Sequence, residues 1–375
     1  MCIRDRDGLV ISKGKLAEVS VAPHSEGNTN LKVNVPENGK CYLKLIYHLK
    51  KEMPLLEENH ILGFDEIEVS QKDAKCQLAE KWLEKAATDS ELQVNEDDTQ
   101  IHIKGREFAY TIDRRTALFT EMKFAGREYL NHPMELNIWR APTDNDMYIK
   151  AEWKKAHYDK AYTRAYTTEV VQGKHGVKIV SHASVVAETV QKILDVTITW
   201  KIDATGKIDA DIEATKDGEF PDLPRFGVRM FLDKKLSDAR YFGMGPQESY
   251  RDKHQAASHG LYRANVSDLH EDYIRPQENG SHYDCGYVEL NNSRYGMAAF
   301  SESTFSFNAS YYTQEELEKK THNYELTESD SVVLCVDYAL NGIGSNSCGP
   351  VVLDQYRFND VLFRFQFTLV PYVKG

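Results

Sequence analysis

Val196-Thr197-Ile198-Thr199-Trp200-Lys201-Ile202 and Ile208-Asp209-Ala210-Asp211-Ile212 are two runs in which apolar residues fall at every second position. A period of two puts one set of side chains on one face of a strand, and Ala204-Thr205-Gly206 supplies a short turn between the runs. The pattern predicts an antiparallel hairpin with one face in a core. The same signature recurs in both directions. Upstream, Gln100-Ile101-His102-Ile103 turns at Lys104-Gly105 towards Phe108, Tyr110 and Ile112, then Leu118, Met122 and Phe124. Downstream, residues 226–232, 286–290, 297–300, 332–338 and 361–369 read as further strands. Residues 151–161, where Trp153, Ala156, His157 and Lys160 recur at helical spacing, are the one persuasive helix. Many short strands, turn signals and one helix predict an all-β chain built as a large antiparallel sandwich.

The front of the chain is also β-like. Leu31, Val33 and Val35 alternate with polar residues, Tyr42-Leu43-Lys44-Leu45-Ile46-Tyr47-His48-Leu49 reads as a buried strand, and Ile67-Glu68-Val69 as the last one. About five short strands are fewer than the roughly seven of an immunoglobulin-like sandwich, so this domain is expected to be partial. Residues 1–7 read as neither strand nor cap, and the start is expected to reflect a truncation or a reading-frame artefact. Residues 72–91 are charged and helix-tolerant, which suits a linker. The expected division is a partial immunoglobulin-like domain over 1–71, a linker over 72–91, and the large sandwich over 92–375.

Bulk chemistry narrows the function. Lys and Arg total 46 against 58 Asp and Glu, a net charge of −12, whereas a nucleic-acid partner would call for a basic face. No apolar run approaches the roughly 20 residues of a membrane helix, and the first residues lack the apolar core of a signal peptide. The six cysteines stand singly at 2, 41, 76, 285, 335 and 348, without a C-x-x-C pair. Reduced thiols in a cytoplasm are expected.

The most distinctive polar stretch is Trp139-Arg140-Ala141-Pro142-Thr143-Asp144-Asn145-Asp146. Pro142 forbids regular structure, and the three consecutive Asx side chains can bind nearby backbone or a polyol. A structural turn and a sugar-facing loop both fit. Gly243-Met244-Gly245-Pro246 has a proline where a dinucleotide loop needs a helix N-terminus, and Asn341-Gly342-Ile343-Gly344-Ser345-Asn346 lacks a P-loop lysine; both read as tight turns. His254, His259, His282 and Asp284 lack recognisable metal-ligand spacing. Glu248, Glu278 and Asp284 lie among tyrosines, but sequence cannot supply the carboxylate separation that glycoside hydrolysis requires. No catalytic set is complete.

These motifs resemble those of one family. Residues 139–146 resemble the R-A-P-x-D-N-D signature in the C-terminal domain of large bacterial β-galactosidases of glycoside hydrolase family 2. Gly243-Met244-Gly245-Pro246-Gln247-Glu248-Ser249-Tyr250-Arg251-Asp252, Pro276-Gln277-Glu278-Asn279-Gly280 and Gly342-Ile343-Gly344-Ser345-Asn346-Ser347-Cys348-Gly349-Pro350 are similar to further family stretches in the same order. Gly63-Phe64-Asp65-Glu66-Ile67 resembles the end of the preceding immunoglobulin-like domain.

The resemblance implies a galactose-mutarotase-like supersandwich that closes over a (β/α)₈ barrel. In the family that barrel carries two catalytic glutamates with magnesium and sodium beside them. This chain has no barrel pattern, so no catalytic residue, metal ligand or cofactor is expected in it. Asn145, Asp146, Met147 and Tyr148, in the loop running on to Lys150, are expected to approach a β-galactoside such as lactose. Cys348 falls where some members place a substrate-stacking tryptophan. Arg140, Asp144, Glu248 and Glu278 are motif residues, with Arg140, Asp144 and Asp146 expected to fix the turn. The implied partners are the barrel portion, in the same chain or as a large subunit, and further copies in a homo-oligomer. The alternative is a free-standing carbohydrate-binding or aldose-epimerase-like module, with Glu248 and His282 as its acid–base pair.

Overall fold

The computed structural model describes residues 2–4, 8, 10–16, 20–35, 39–72, 92–190 and 192–374. Among these, the strands form three sheets. The first is four-stranded, in the order β2-β1-β3-β4, from β1 (Cys2–Arg4), β2 (Val10–Lys13), β3 (Gly39–His48) and β4 (Ile61–Lys72). Residues 1–7 were expected to hold no strand, yet Cys2–Arg4 pairs with both β2 and β3, because a backbone ladder forms without a side-chain pattern. Conversely, Leu31, Val33 and Val35 join no ladder. They lie against Cys41 and Leu43, so the alternation reports a face turned to a core rather than a paired strand. Of the linker expected over 72–91, Lys72 ends β4 and residues 73–91 lie outside the described residues.

The second sheet is a five-stranded meander of β5 (Gln93–Glu96), β6 (Gln100–Lys104), β7 (Phe108–Asp113), β8 (Leu118–Phe124) and β9 (Arg127–Glu128). The third has twelve strands. Its first half in sequence is β10 (Leu130–Asn137), β11 (Tyr162–Gln172), β12 (Gly176–Val186), β13 (Leu194–Asp203), β14 (Ile208–Lys216) and β15 (Arg225–Asp233). The rest are β16 (Asp238–Gly245), β17 (Ser258–Asn265), β18 (Ser281–Asn291), β19 (Tyr295–Ser310), β20 (Ser331–Leu340) and β21 (Leu362–Val373). The main path runs β10-β15-β20-β19-β21-β14-β13-β12-β11, and β18, β16 and β17 branch from β19. The long β19 makes the branch: its first residues pair with β21 and its last with β20, while β18 follows it on the other edge.

The β13–β14 hairpin has the predicted register, with Ile198 opposite Ile212, Trp200 opposite Ala210 and Ile202 opposite Ile208. Its buried face meets the five-stranded sheet. Trp200 is fully buried, donates its indole N–H to Ala117 O at 2.8 Å and meets Phe119 edge-on with ring centres 4.9 Å apart. Tyr110 donates to Gly206 O at 2.7 Å, and Gly206 takes the left-handed φ of +85° that the turn requires. Gly243 and Gly245, in contrast, form no turn. Both lie within β16, where a Cβ at Gly243 would stand 2.2 Å from Cys285 Sγ. Glycine is needed there for strand-to-strand approach.

The predicted helix forms as α1 (Ile149–Lys155), followed by a 3₁₀ turn at Tyr158–Lys160. A second helix, α2 (Gln314–Lys319), was not expected. Its signal is present as Thr313-Gln314-Glu315-Glu316, with the Thr313 hydroxyl accepting from Glu316 N at 3.1 Å.

Candidate functional site

Between β10 and α1 the chain makes the turn held by Arg140. This side chain has no exposed surface and is ringed by acceptors. It donates to Asp146 through Nε at 3.1 Å and Nη2 at 2.7 Å, to Asn341 O at 2.5 Å and to Gly342 O at 3.1 Å. Asp146 also accepts from Thr143 N at 2.9 Å and Thr143 Oγ1 at 3.1 Å. Its buried carboxylate is therefore engaged in holding the turn. Asp144 is tied to the 276–280 motif: its N–H donates to Gln277 Oε1 at 2.9 Å and its carboxylate accepts from Gln277 Nε2 at 3.2 Å.

Asn145 joins the turn to the third motif. Its amide N–H donates to Gly344 O at 2.7 Å, and its oxygen accepts from Ser347 Oγ at 2.8 Å and Ser347 N at 3.3 Å. Asp252 braces the same loop by accepting from Ile343 N at 2.9 Å and Gly344 N at 2.7 Å, with Gly344 at φ +67°. Met147, Tyr148 and Cys348, each within three residues of the Asn145–Ser347 contact, remain exposed. Exposed apolar side chains fringe the same region at Ile274, Val351 and Leu353, Ile274 at 96% exposure. Lys150 lines a separate cleft with Lys154 and Arg275.

These loops enclose a cavity of about 500 Å³ lined by Asp144, Asn145, Tyr250, Asp252, Lys253 and Tyr273, with Glu278 and Ile343 among the rest. Glu248 sits behind it, accepting from Lys253 Nζ, Tyr273 Oη and, at 2.8 Å, Gly280 N. Lys253 also donates to Tyr273 Oη at 2.7 Å. Glu278 is 4% exposed and belongs to a buried charge network. Arg225 donates to Asp337 at 3.2 and 2.5 Å and to Glu278 Oε2 at 3.2 Å. Burial raises the Glu278 pKa, and the nearby guanidiniums of Arg225 and Arg140 only partly offset that.

Of the residues considered for acid–base chemistry, Glu278 lines the cavity and Glu248 bonds to its lining, whereas Asp284 and His282 do not line it. His282 is buried, with Nδ1 3.1 Å from Gly280 O and its ring stacked on Phe307, and desolvation pulls its pKa down to about 4. It does not line the cavity. Among the described residues, no group of three or more His, Cys, Asp or Glu side chains could hold a metal ion. Tyr250, Arg225, Asp337 and Asn341 were not singled out from sequence as site residues. Only Tyr250 lay in a recognised motif; the others sit in apolar or turn segments with no local signal.

The family described as "Beta galactosidase small chain" matches residues 104–369. A beta-galactosidase of Actinobacillus pleuropneumoniae is 42% identical over 366 residues, covering 97% of this chain and 35% of the relative. One of Staphylococcus xylosus is 31% identical over 350 residues, covering 92% of this chain and 34% of the relative. A galactose 1-epimerase structure from Lactobacillus acidophilus NCFM aligns with a TM-score of 0.40 at 8% identity, covering 76% of this chain and 99% of that one. The chain thus spans about a third of the length of the curated relatives it matches. With a family match over residues 104–369 and a relative above 40% identity, this chain belongs to the beta-galactosidase small-chain family.

Proposed function

We propose that the chain shapes and closes the sugar site of a β-galactosidase that hydrolyses terminal β-D-galactosides such as lactose. In this reading the catalytic glutamates, with magnesium and sodium beside them, lie on a separate barrel. The chain's own contribution is binding and orientation rather than proton transfer. The observation that supports this most directly is the Asn145 bridge to Gly344 and Ser347. It draws the 139–146 turn and the 342–350 loop together and leaves Met147, Tyr148 and Cys348 exposed beside them. The apolar fringe at Ile274, Val351 and Leu353 is a surface that a barrel would cover, since exposed apolar patches mark interaction sites. A cytoplasmic homo-oligomer is the expected setting.

Cys348 lacks the aromatic face of tryptophan, so in this protein the aglycone contact comes from other residues, for which Tyr148 is an exposed aromatic three residues from Asn145. Chromogenic β-galactoside turnover, measured on the chain alone and with a barrel-bearing segment, tests the division of labour. Turnover should need the barrel segment. Comparable activity from the chain by itself would overturn the reading.

A further inference from the structure

Thr143 and Asp144 line two spaces, the cavity described above and a separate cleft of about 340 Å³. The cleft's other lining residues include Lys150, Lys154, Arg275 and Glu318. Lys150 and Lys154 stand four positions apart on α1, which puts them on one face of the helix. Arg275 comes from a distant loop, and Gln277 ties that loop to the turn. The Gln277 amide donates to Arg275 O at 3.0 Å and to the Asp144 carboxylate at 3.2 Å, and its oxygen accepts from Asp144 N at 2.9 Å. Glu318 on α2 reaches Lys154 Nζ at 2.5 Å. The walls are bonded to one another, so the cleft is a built part of the fold.

Which charges are free decides what the cleft takes. Lys154 is matched by Asp159 at 2.9 Å as well as by Glu318, and the Asp144 carboxylate is engaged by Gln277. The side chains of Lys150 and Arg275 have no hydrogen-bond or ion-pair partner among the described residues. The Trp139 ring centre lies 4.8 Å from Lys154 Nζ, and the buried Trp139 indole N–H has no acceptor. Donors are in surplus here and the acceptors are used, in a chain whose net charge is −12. A ligand made of acceptors and carrying negative charge fits that surplus. A guanidinium beside an ammonium suits a phosphate, because the Arg fork bonds two oxygens and the Lys another. The space also lies within the usual range for a small-molecule pocket.

We infer that this cleft binds a phosphate group, free or carried by a small organic phosphate, with Arg275 and Lys150 as its ligands. Lys154 remains with its two carboxylates and holds the wall. The inference stands apart from the sugar-site reading, since neither Lys150 nor Arg275 lines the other cavity.

Calorimetric titration of the full 375-residue chain tests it, with inorganic phosphate and glycerol 3-phosphate as separate titrants and sodium chloride at matched ionic strength as control. Saturable binding with a dissociation constant on the order of 1 mM is expected, and the tighter titrant tells the free ion from the organic phosphate. Lys150→Gln and Arg275→Gln should each weaken binding about fivefold or more, because each removes a charge-assisted contact. Lys155→Gln, on α1 but outside the cleft, should leave binding unchanged. All three side chains are exposed, so the substitutions leave the core intact. Heats from both phosphates no larger than those from sodium chloride would overturn the proposal. So would undiminished binding by the double variant Lys150→Gln/Arg275→Gln, or an equal loss in Lys155→Gln.

Discussion

Arg140 makes four hydrogen bonds from a site without solvent, two to Asp146 and one each to Asn341 O and Gly342 O. Removing it leaves a buried carboxylate without its counter-charge and two carbonyls without donors. Arg140→Ala should therefore cost about 3–5 kcal/mol, read as a lower midpoint in urea denaturation. A loss below about 1 kcal/mol would mean that the turn is held from elsewhere. Part of this was legible in advance, because an arginine and an aspartate six positions apart across a proline turn invite pairing. The part played by the Asn341 and Gly342 carbonyls was not, since those residues lie about two hundred positions away and backbone acceptors carry no sequence signature.

At the scale of elements, period-two alternation gave the hairpins correctly where one face is buried and the other open, as in β13 and β14. It misled at Leu31–Val35, where the same pattern reflects packing on the first sheet without a ladder. The glycines of β16 show the opposite error. Glycine pairs suggest turns, but Gly243 is the place where β16 and β18 approach too closely for a side chain, with Cys285 Cα 2.9 Å from an added Cβ. Gly243→Ala should lower stability by about 1–3 kcal/mol through overpacking, measured by thermal or urea unfolding. A neutral result would show that the strands can separate at little cost.

At the scale of the whole molecule, the first sheet meets the twelve-stranded sheet through His259 on β17. Its Nδ1 is 2.6 Å from Glu66 on β4, its Nε2 is 2.8 Å from Asp284 on β18, and its ring stacks on Tyr42 of β3 at 3.9 Å. Lys40 stands 3.6 Å from Asp284, and Thr304 hydrogen-bonds to Asp284 from β19. Burial opposes the charged imidazole, but the bonds to Asp284 and Glu66 outweigh it and raise the His259 pKa. The Asp284 pKa is depressed despite burial, because His259 and Lys40 favour its ionised form.

A raised histidine stabilises fully below its unfolded pKa and loses that stabilisation as pH climbs through the folded value. A depressed aspartate stabilises above its unfolded pKa and loses the contribution in acid. The junction is therefore strongest between about pH 4 and pH 6.5. Amide exchange in β3 and β17, corrected for its intrinsic pH dependence, should become less protected as pH rises above about 6.5. His259→Gln should flatten that trend. Unchanged protection in the parent chain would remove His259 from the junction's energetics.

Alternating apolar residues and turn glycines in the sequence were enough to determine an all-β sandwich, and the 139–146, 243–252, 276–280 and 342–350 motifs were enough to point to the family. Both kinds of signal are local: a strand's face and a turn's backbone depend on neighbours a few positions apart. Tertiary structure alone decided that Asn145 would bridge to Ser347, that Arg225 would collect Glu278 and Asp337, and that Tyr250 and Glu278 would be left unsatisfied beside one cavity. The bonds among them join residues 53 to 202 positions apart, and what sets their energies is burial, which no short stretch of sequence specifies.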